Sequence, residues 1–404
     1  MLRIGRVAVA VSLLAVALVA TTNGADAREQ DVSIGEFTID EDALCDVRDQ
    51  WMDQMLASNE PGTWAKMKFT PSDAQLDRLG LPSSEILRAG DYSRPTLVTK
   101  DGRYIPVGYD ELQDAFAQSL AAQKDGRNGN QRGGKQRGRK QTSDSAGPTV
   151  ATYAGTGCLG IRPGALLLSV TSNSIGWCSM AHVYGSPGSY DISTAGHCGK
   201  TGTTATVIAG LGNRGDATGV ILLDFGKFAT SKDAGLGNDW ALIDIYSQYQ
   251  NLVTPTMCFW GGPRGTYTAT GSLVGVSFPG NSLIPDISLD PNPFLAQTIV
   301  HYGHGAAVGT GGTPRVGEAI AWGSTHFMFF GAISPGDSGS GANTLTGDTV
   351  GANMEAAGIM THLYIDPLMR KGLGIMGGTR ATAVAGTLAN GQIVPYPAPL
   401  PGLP

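Results

Sequence analysis

The run Gly336-Asp337-Ser338-Gly339-Ser340-Gly341 sets one serine among glycines. Glycine at 336 and 339 lets the backbone turn sharply, so the amides of Gly336 and Ser338 can point at one oxygen. A hydroxyl beside two converging backbone donors is part of the equipment for attacking a carbonyl. The remainder is a base that takes the hydroxyl proton and an acid that orients the base. Upstream, Thr194-Ala195-Gly196-His197-Cys198 offers His197 as base. Asn238-Asp239-Trp240-Ala241-Leu242-Ile243 offers Asp239 as the acid, at the mouth of an apolar strand. Each fragment alone has an ordinary structural reading, and their appearance in this order is far more specific.

Rivals for these roles have weaker surroundings. His182 lacks a comparable context. His301-Tyr302-Gly303-His304 lies in a Gly-rich stretch without the glutamate of a zinc-binding helix motif, so a surface loop is expected there and no metal site. Asp224 and Asp244 also stand at the ends of apolar runs, and Asp244 is the main competitor of Asp239.

The chain of 404 residues exceeds one average domain. Its 58 glycines, 15% charged and 41% hydrophobic residues suit a β-rich extracellular protein with many tight turns. A net charge of −6 implies no obligatory nucleic-acid or membrane partner. Charge is unevenly spread: residues 1–123 carry eleven basic and nineteen acidic side chains, whereas 124–140 carry seven basic ones and Asp125 alone.

Residues 1–27 read as an export signal. Arg3 and Arg6 precede an apolar run over 7–20, and Ala25-Asp26-Ala27 ends it with a small-x-small cleavage pattern. Fourteen helical residues reach about 21 Å, short of the roughly 30 Å hydrocarbon core, so no stable membrane association is expected. Export leads to an oxidising compartment, where an odd count of five cysteines needs explaining; removal of Cys45 with a pro-segment would leave four.

Residues 28–123 have patterning of their own, with helices expected over 40–58 and 110–123 and loops or short strands between the prolines at 61, 71, 82 and 95. Residues 124–148 hold no apolar core residue and read as a basic Gly-rich linker carrying a processing site. No aromatic interleaves their charges, which argues against a nucleic-acid arm. From 149 to 394 short apolar runs alternate with turn residues, at 165–170, 204–208, 220–225, 240–245, 273–278 and 349–354. That texture favours an all-β sandwich or pair of barrels. Residues 395–404 form a Pro-rich tail.

The motifs at 194–198, 239–243 and 336–341 resemble those of the chymotrypsin-like (trypsin-fold) serine proteases, especially the secreted bacterial branch. The likeness covers roughly residues 155–380, with 42 residues from His197 to Asp239 and 99 from there to Ser338. It implies two antiparallel six-stranded β-barrels and leaves the N-terminal third unmatched; the small, partly helical segment at 28–123 is read as a pro-segment from its own residues. The likeness also implies a cofactor-free triad of His197 as base, Asp239 as orienting acid and Ser338 as nucleophile, with Gly336 and Ser338 forming the oxyanion hole. A Cys178–Cys198 bridge is implied as well, closing a loop worth about 3 kcal/mol. A Cys158–Cys258 bridge is implied in turn, one of the three pairings that four cysteines allow.

By position in the family, Ala332 forms the base of the primary pocket and Thr361 and Leu363 its wall, so apolar side chains are expected before the cleaved bond and basic ones are not. There is no Ile-Val-Gly-Gly start, so Asp337 is expected to be held by an internal arginine such as Arg264 or Arg315. The expected partners are a protein or peptide substrate and the chain's own pro-segment as inhibitor. A catalytically silent trypsin-fold binding protein and an esterase sharing the triad are the alternatives.

Overall fold

The computed structural model describes residues 31–34, 37–40, 50, 54, 63–78, 81–99, 101–124, 159–170, 173–209, 219–258, 261–272, 298–305, 313–345, 354–365, 373–388 and 391–396. The export signal at 1–27, Cys45, the linker beyond 124, Cys158, the strand expected at 273–278 and all of 349–354 except Met354 lie outside them. Of the helix expected over 40–58, only Asp40, Gln50 and Gln54 are described, and of the tail only Pro395 and Tyr396.

The N-terminal segment opens with a hairpin of β1 (Asp31–Ile34) and β2 (Phe37–Asp40). It continues through β3 (Thr63–Lys66), α1 (Asp73–Arg78), α2 (Ser84–Ala89), β4 (Thr96–Thr99), β5 (Tyr104–Pro106) and α3 (Tyr109–Lys124). The two short helices occupy ground where loops or strands were expected. Their prolines, Pro71 and Pro82, stand just ahead of the helix starts, where a missing N–H costs nothing. Capping fixes both starts. Ser72 Oγ accepts from the Gln75 amide at 3.3 Å while Gln75 Oε1 accepts from the Ser72 amide at 2.8 Å, a reciprocal capping box. Ser83 Oγ accepts from the Ile86 amide.

Two sheets follow, antiparallel except for one two-residue parallel pairing in the second. The first is built from β6 (Leu166–Val170), β7 (Ile175–Ser179), β8 (Val183–Ser186), β9 (Ser189–Thr194), β10 (Thr204–Ile208), β11 (Gly219–Asp233) and β12 (Asp239–Ile245). Their order is β7-β6-β10-β11-β12-β9-β8. The two edge strands are one bent run of chain. Residues 180–182 join them, and the Ala181 amide donates to the Ser193 carbonyl at 2.7 Å, so the sheet curls on itself as a six-stranded barrel.

The second sheet comprises β13 (Gly265–Thr266), β14 (Gly271–Ser272), β15 (Thr298–Gly303), β16 (Thr313–Trp322), β17 (His326–Ala332), β18 (Gly341–Leu345), β19 (Met354–Ile365) and β20 (Leu373–Arg380). Pairing of β19 with β20 closes the ring β18-β15-β16-β17-β20-β19. A short helix α4 (Ala381–Ala385) packs beside β19 and β20.

Apolar residues fill both interiors. In β12 only Asp244 is exposed, because Trp240, Leu242 and their neighbours are covered on both faces of the strand. The second barrel is filled by Trp322, Phe327, Phe329 and Met376.

The N-terminal segment is not a separate body. β4 pairs with β11, placing Leu97 opposite Ile221, and β3 pairs with β19. Leu112 and Phe116 of α3, expected on one helical face, share a core with Ile161 and Leu252 of the first barrel. No helix among the described residues is long and apolar enough to cross a membrane.

One register position sets like charges together. Asp191 of β9 lies opposite Asp244 of β12. Burial, and then the Asp244 charge, raise the Asp191 carboxyl to about 6 from 3.8. The folded state therefore holds this proton more tightly than the unfolded chain does. The resulting stability is fully present below about pH 4 and is lost as pH rises through about 6. Asp191→Asn is expected to be more stable than the parent at pH 8, with the difference vanishing below pH 4. Urea unfolding at both pH values checks this.

Candidate active site

His197 sits in a single 3-10 turn, Gly196–Cys198, directly after β9. The Cys178–Cys198 disulfide ties that turn to β7, with the Cα atoms 6.1 Å apart. Asp239 begins β12 and is fully buried. Its amide donates to Thr379 Oγ1 at 3.1 Å and its carbonyl accepts from the same hydroxyl at 2.9 Å, which joins the first barrel to β20 of the second.

The Asp239 carboxylate grips the histidine at two points. Oδ1 accepts from the His197 amide at 3.0 Å, and Oδ2 lies 2.7 Å from Nδ1. A carboxylate only accepts, so Nδ1 carries the ring proton and Nε2 is left as the acceptor. Nε2 faces Ser338 Oγ at 2.7 Å. The His197 side chain is 1% exposed and Ser338 is fully buried.

Ser338 lies in the turn between β17 and β18. Gly336 and Gly339 both adopt positive φ, at 104° and 86°. A Cβ on Gly339 would stand 2.1 Å from Thr194 Oγ1 and 2.2 Å from the Ser179 carbonyl, so the turn presses against the strands on either side of the disulfide. Asp337, fully buried next to the serine, pairs with Arg315, whose side chain is 2% exposed. The Ser334 amide also donates to Asp337, at 2.9 Å.

Of the two arginines weighed from sequence, the structure thus brings Arg315 to Asp337. Removing one partner of a buried pair strands the other. Arg315→Met is expected to cost about 3 kcal/mol of stability, and Arg315→Met with Asp337→Asn is expected to recover part of it, as read by thermal unfolding.

The N-terminal segment covers the site. The Met67 carbonyl oxygen stands 2.8 Å from Ser338 Oγ, whose single proton is shared between it and His197 Nε2, and accepts from the Gly336 amide at 3.5 Å. The Met67 amide donates to the Thr361 carbonyl at 3.2 Å, and Leu363 lies opposite Ala65. Ala332 is partly exposed at the end of β17, opposite Leu373.

Two competitors fall away. Asp244 is exposed and paired across the ladder with Asp191. His182 is buried, with Nε2 against the Gly358 carbonyl, and burial pushes its imidazole down to about 4.

The surface loop expected at 301–304 is a correction: His301 lies inside β15 and His304 just beyond it, both buried. The run Thr298–Gly303 is covered on both faces, so it lacks the alternation that marks a half-exposed strand. Burial and the nearby Arg315 charge hold His301 well below its ordinary range and bring His304 to about 3. Cys258 is buried, within 3.8 Å of Arg162.

His362, between the two residues expected in the pocket wall, also stands beside Asp239. Its Nδ1 is 2.8 Å from Thr361 Oγ1 and 3.9 Å from Asp239 Oδ2. Burial pushes it down to about 4 against the opposing pull of Asp239, so it stands beside the carboxylate as a neutral ring at neutral pH. A histidine inside the apolar run Ile359-Met360-Thr361-His362-Leu363 is the signal that marked it.

Two closed antiparallel barrels, with an Asp–His–Ser chain running across their junction, define the trypsin-like fold class. No family model matches the chain, and no curated protein matches it. Among solved structures it is similar to Thermobifida fusca protease A, at 20% identity over 59% of this chain and 98% of that one, with a TM-score of 0.34. It is also similar to Nocardiopsis protease, at 19% identity over 57% and 95% of the two chains with a TM-score of 0.32. A third is a glutamic acid-specific serine protease described as using a histidine triad in substrate binding, at 18% identity over 58% and 100% of the chains and a TM-score of 0.32. Identity this low leaves the chemistry of the site to be read from its own residues.

Proposed function

We propose that the chain is a secreted serine endopeptidase made as a zymogen. The observation that carries this is His197, held at Nδ1 by Asp239 and standing 2.7 Å from Ser338 Oγ through Nε2. In this reading Ser338 Oγ attacks the carbonyl carbon of a peptide bond while His197 takes its proton. The Gly336 and Ser338 amides hold the oxyanion, and His197 returns the proton to the leaving amine. Water then releases the acyl group from Ser338. Asp239 keeps the imidazole in the productive tautomer, and Arg315 fixes Asp337 and with it the turn that presents the serine. The absence of an acid at Ala332 favours an apolar residue before the cleaved bond. A casein digest with product termini read by mass spectrometry tests the activity. Termini clustering after apolar residues are expected, whereas intact casein, or cleavage confined to Lys and Arg, would count against it.

The N-terminal segment acts in this reading as an intramolecular inhibitor, because Met67 occupies the oxygen site of the nucleophile and leaves Ser338 no exposed surface. The active secreted form is expected to begin within residues 124–157, upstream of Cys158. N-terminal sequencing decides this; an active enzyme that still begins near Arg28 would show the segment to be a permanent accessory domain.

A further inference from the structure

Residues 63–69, Thr63-Trp64-Ala65-Lys66-Met67-Lys68-Phe69, run through the site as an extended chain held on both sides of one bond. Ahead of that bond, β3 lies antiparallel to β19, with Lys66 opposite His362, Ala65 opposite Leu363 and Trp64 opposite Tyr364. Behind it, the Trp177 amide donates to the Phe69 carbonyl at 3.0 Å. Between these grips the Met67 carbonyl oxygen receives Ser338 Oγ at 2.8 Å and the Gly336 amide. A strand that merely covered the site would not need to put a carbonyl on the nucleophile with its direction and register matched on either side.

The side chains are accommodated as well. Met67 is 2% exposed and joins the apolar cluster that contains Leu363 and Met376. The Lys66 ammonium pairs with Asp233. The Trp64 ring meets Tyr364 edge-on with centroids 5.3 Å apart, and Gly377 makes room for it, since a Cβ there would stand 2.9 Å from the indole. Phe69 meets Trp177 edge-on at 5.9 Å, while Lys68 points to solvent.

We infer that this segment is a built-in substrate, with Met67–Lys68 as its scissile bond, and that the site selects peptides of the pattern aromatic–x–Lys–Met followed by any residue and then an aromatic. The inference rests on the endopeptidase reading. Ser338 Oγ adds to the Met67 carbonyl carbon as its proton passes to His197 Nε2. The bond to Lys68 nitrogen breaks as His197 delivers that proton to the departing amine. Water, deprotonated by His197, then frees the Met67 carboxyl from Ser338. The products are a chain ending at Met67 and a new N-terminus at Lys68.

The test uses the full wild-type chain, its Ser338→Ala counterpart, casein, and a synthetic peptide of residues 62–71 in its native form and as Met67→Asp. Intact mass and N-terminal sequencing are expected to find a Lys68 terminus in the wild-type chain, in the added peptide, or in both, and neither with Ser338→Ala. The Asp-containing peptide is expected to be cut about 100-fold more slowly, since a carboxylate would be forced into an apolar pocket. Casein cut while Met67–Lys68 stays intact in both chain and peptide overturns the inference alone, as does equal cutting of the two peptides. Casein left uncut, with chain and peptide intact, overturns the endopeptidase reading beneath it.

Discussion

Ser338→Ala is expected to lower peptidase turnover by on the order of 10⁶ while leaving the fold intact. The hydroxyl faces His197 Nε2 at 2.7 Å and the Met67 carbonyl oxygen at 2.8 Å, the placement the proposed nucleophile needs. Alanine keeps the Cβ and removes only the oxygen, so the turn set by Gly336 and Gly339 and the Arg315–Asp337 pair behind it are retained. Initial rates on a chromogenic peptide, beside far-ultraviolet circular dichroism and an unfolding curve, separate loss of chemistry from loss of structure. Near-normal turnover in the folded variant would remove Ser338 from its role.

Asp239→Asn is expected to lower turnover by about 10⁴ near neutral pH, with little change in substrate binding. An amide at 239 can present its NH₂ to His197 Nδ1, which stabilises the tautomer bearing the proton on Nε2, and that nitrogen then cannot accept from Ser338. Asp239 is fully buried, with its carboxylate divided between the His197 amide and ring, so both contacts are lost or weakened together when the carboxylate becomes an amide. Asp244→Asn, on the same strand but exposed and opposite Asp191, is expected to leave turnover nearly unchanged. Steady-state kinetics on the two variants rank them, and the reverse ranking would transfer the orienting role to Asp244.

The parts of the site that sequence makes visible are those whose chemistry is local. The glycines around Ser338, the Ala-Gly before His197 and the apolar run after Asp239 each encode a turn or strand start within a few residues, and the fold joins the three. The all-β character follows from many short apolar runs between turn residues, whereas the choice of two barrels over a sandwich came only with the resemblance carried by the three motifs; the helix at 109–124 follows from its four-residue recurrence of Leu112, Phe116 and Leu120.

Long-range partnerships were not legible in the same way. Arg315 and Arg264 look equivalent in sequence, and only the path of β16 brings Arg315 to Asp337. Met67 stands 271 residues from the serine it touches, just past a strand of only four residues that ends in a lysine, so no periodicity marks it. At His301 and His304 the surrounding glycines point to a loop, whereas glycine there allows close packing: a Cβ on Gly303 would stand 2.6 Å from Asp337 Oδ1. The capping box at Ser72 and Gln75 was readable by rule, but the flanking prolines drew attention to breaks rather than to helix starts.

Reaction of the active protein with a fluorophosphonate, followed by intact mass and peptide mapping, shows whether Ser338, activated by His197, is the nucleophile. A single adduct on Ser338, absent from a folded His197→Ala variant, is expected; an active preparation that takes the label on another serine, or remains unlabelled, would exclude Ser338 from that role.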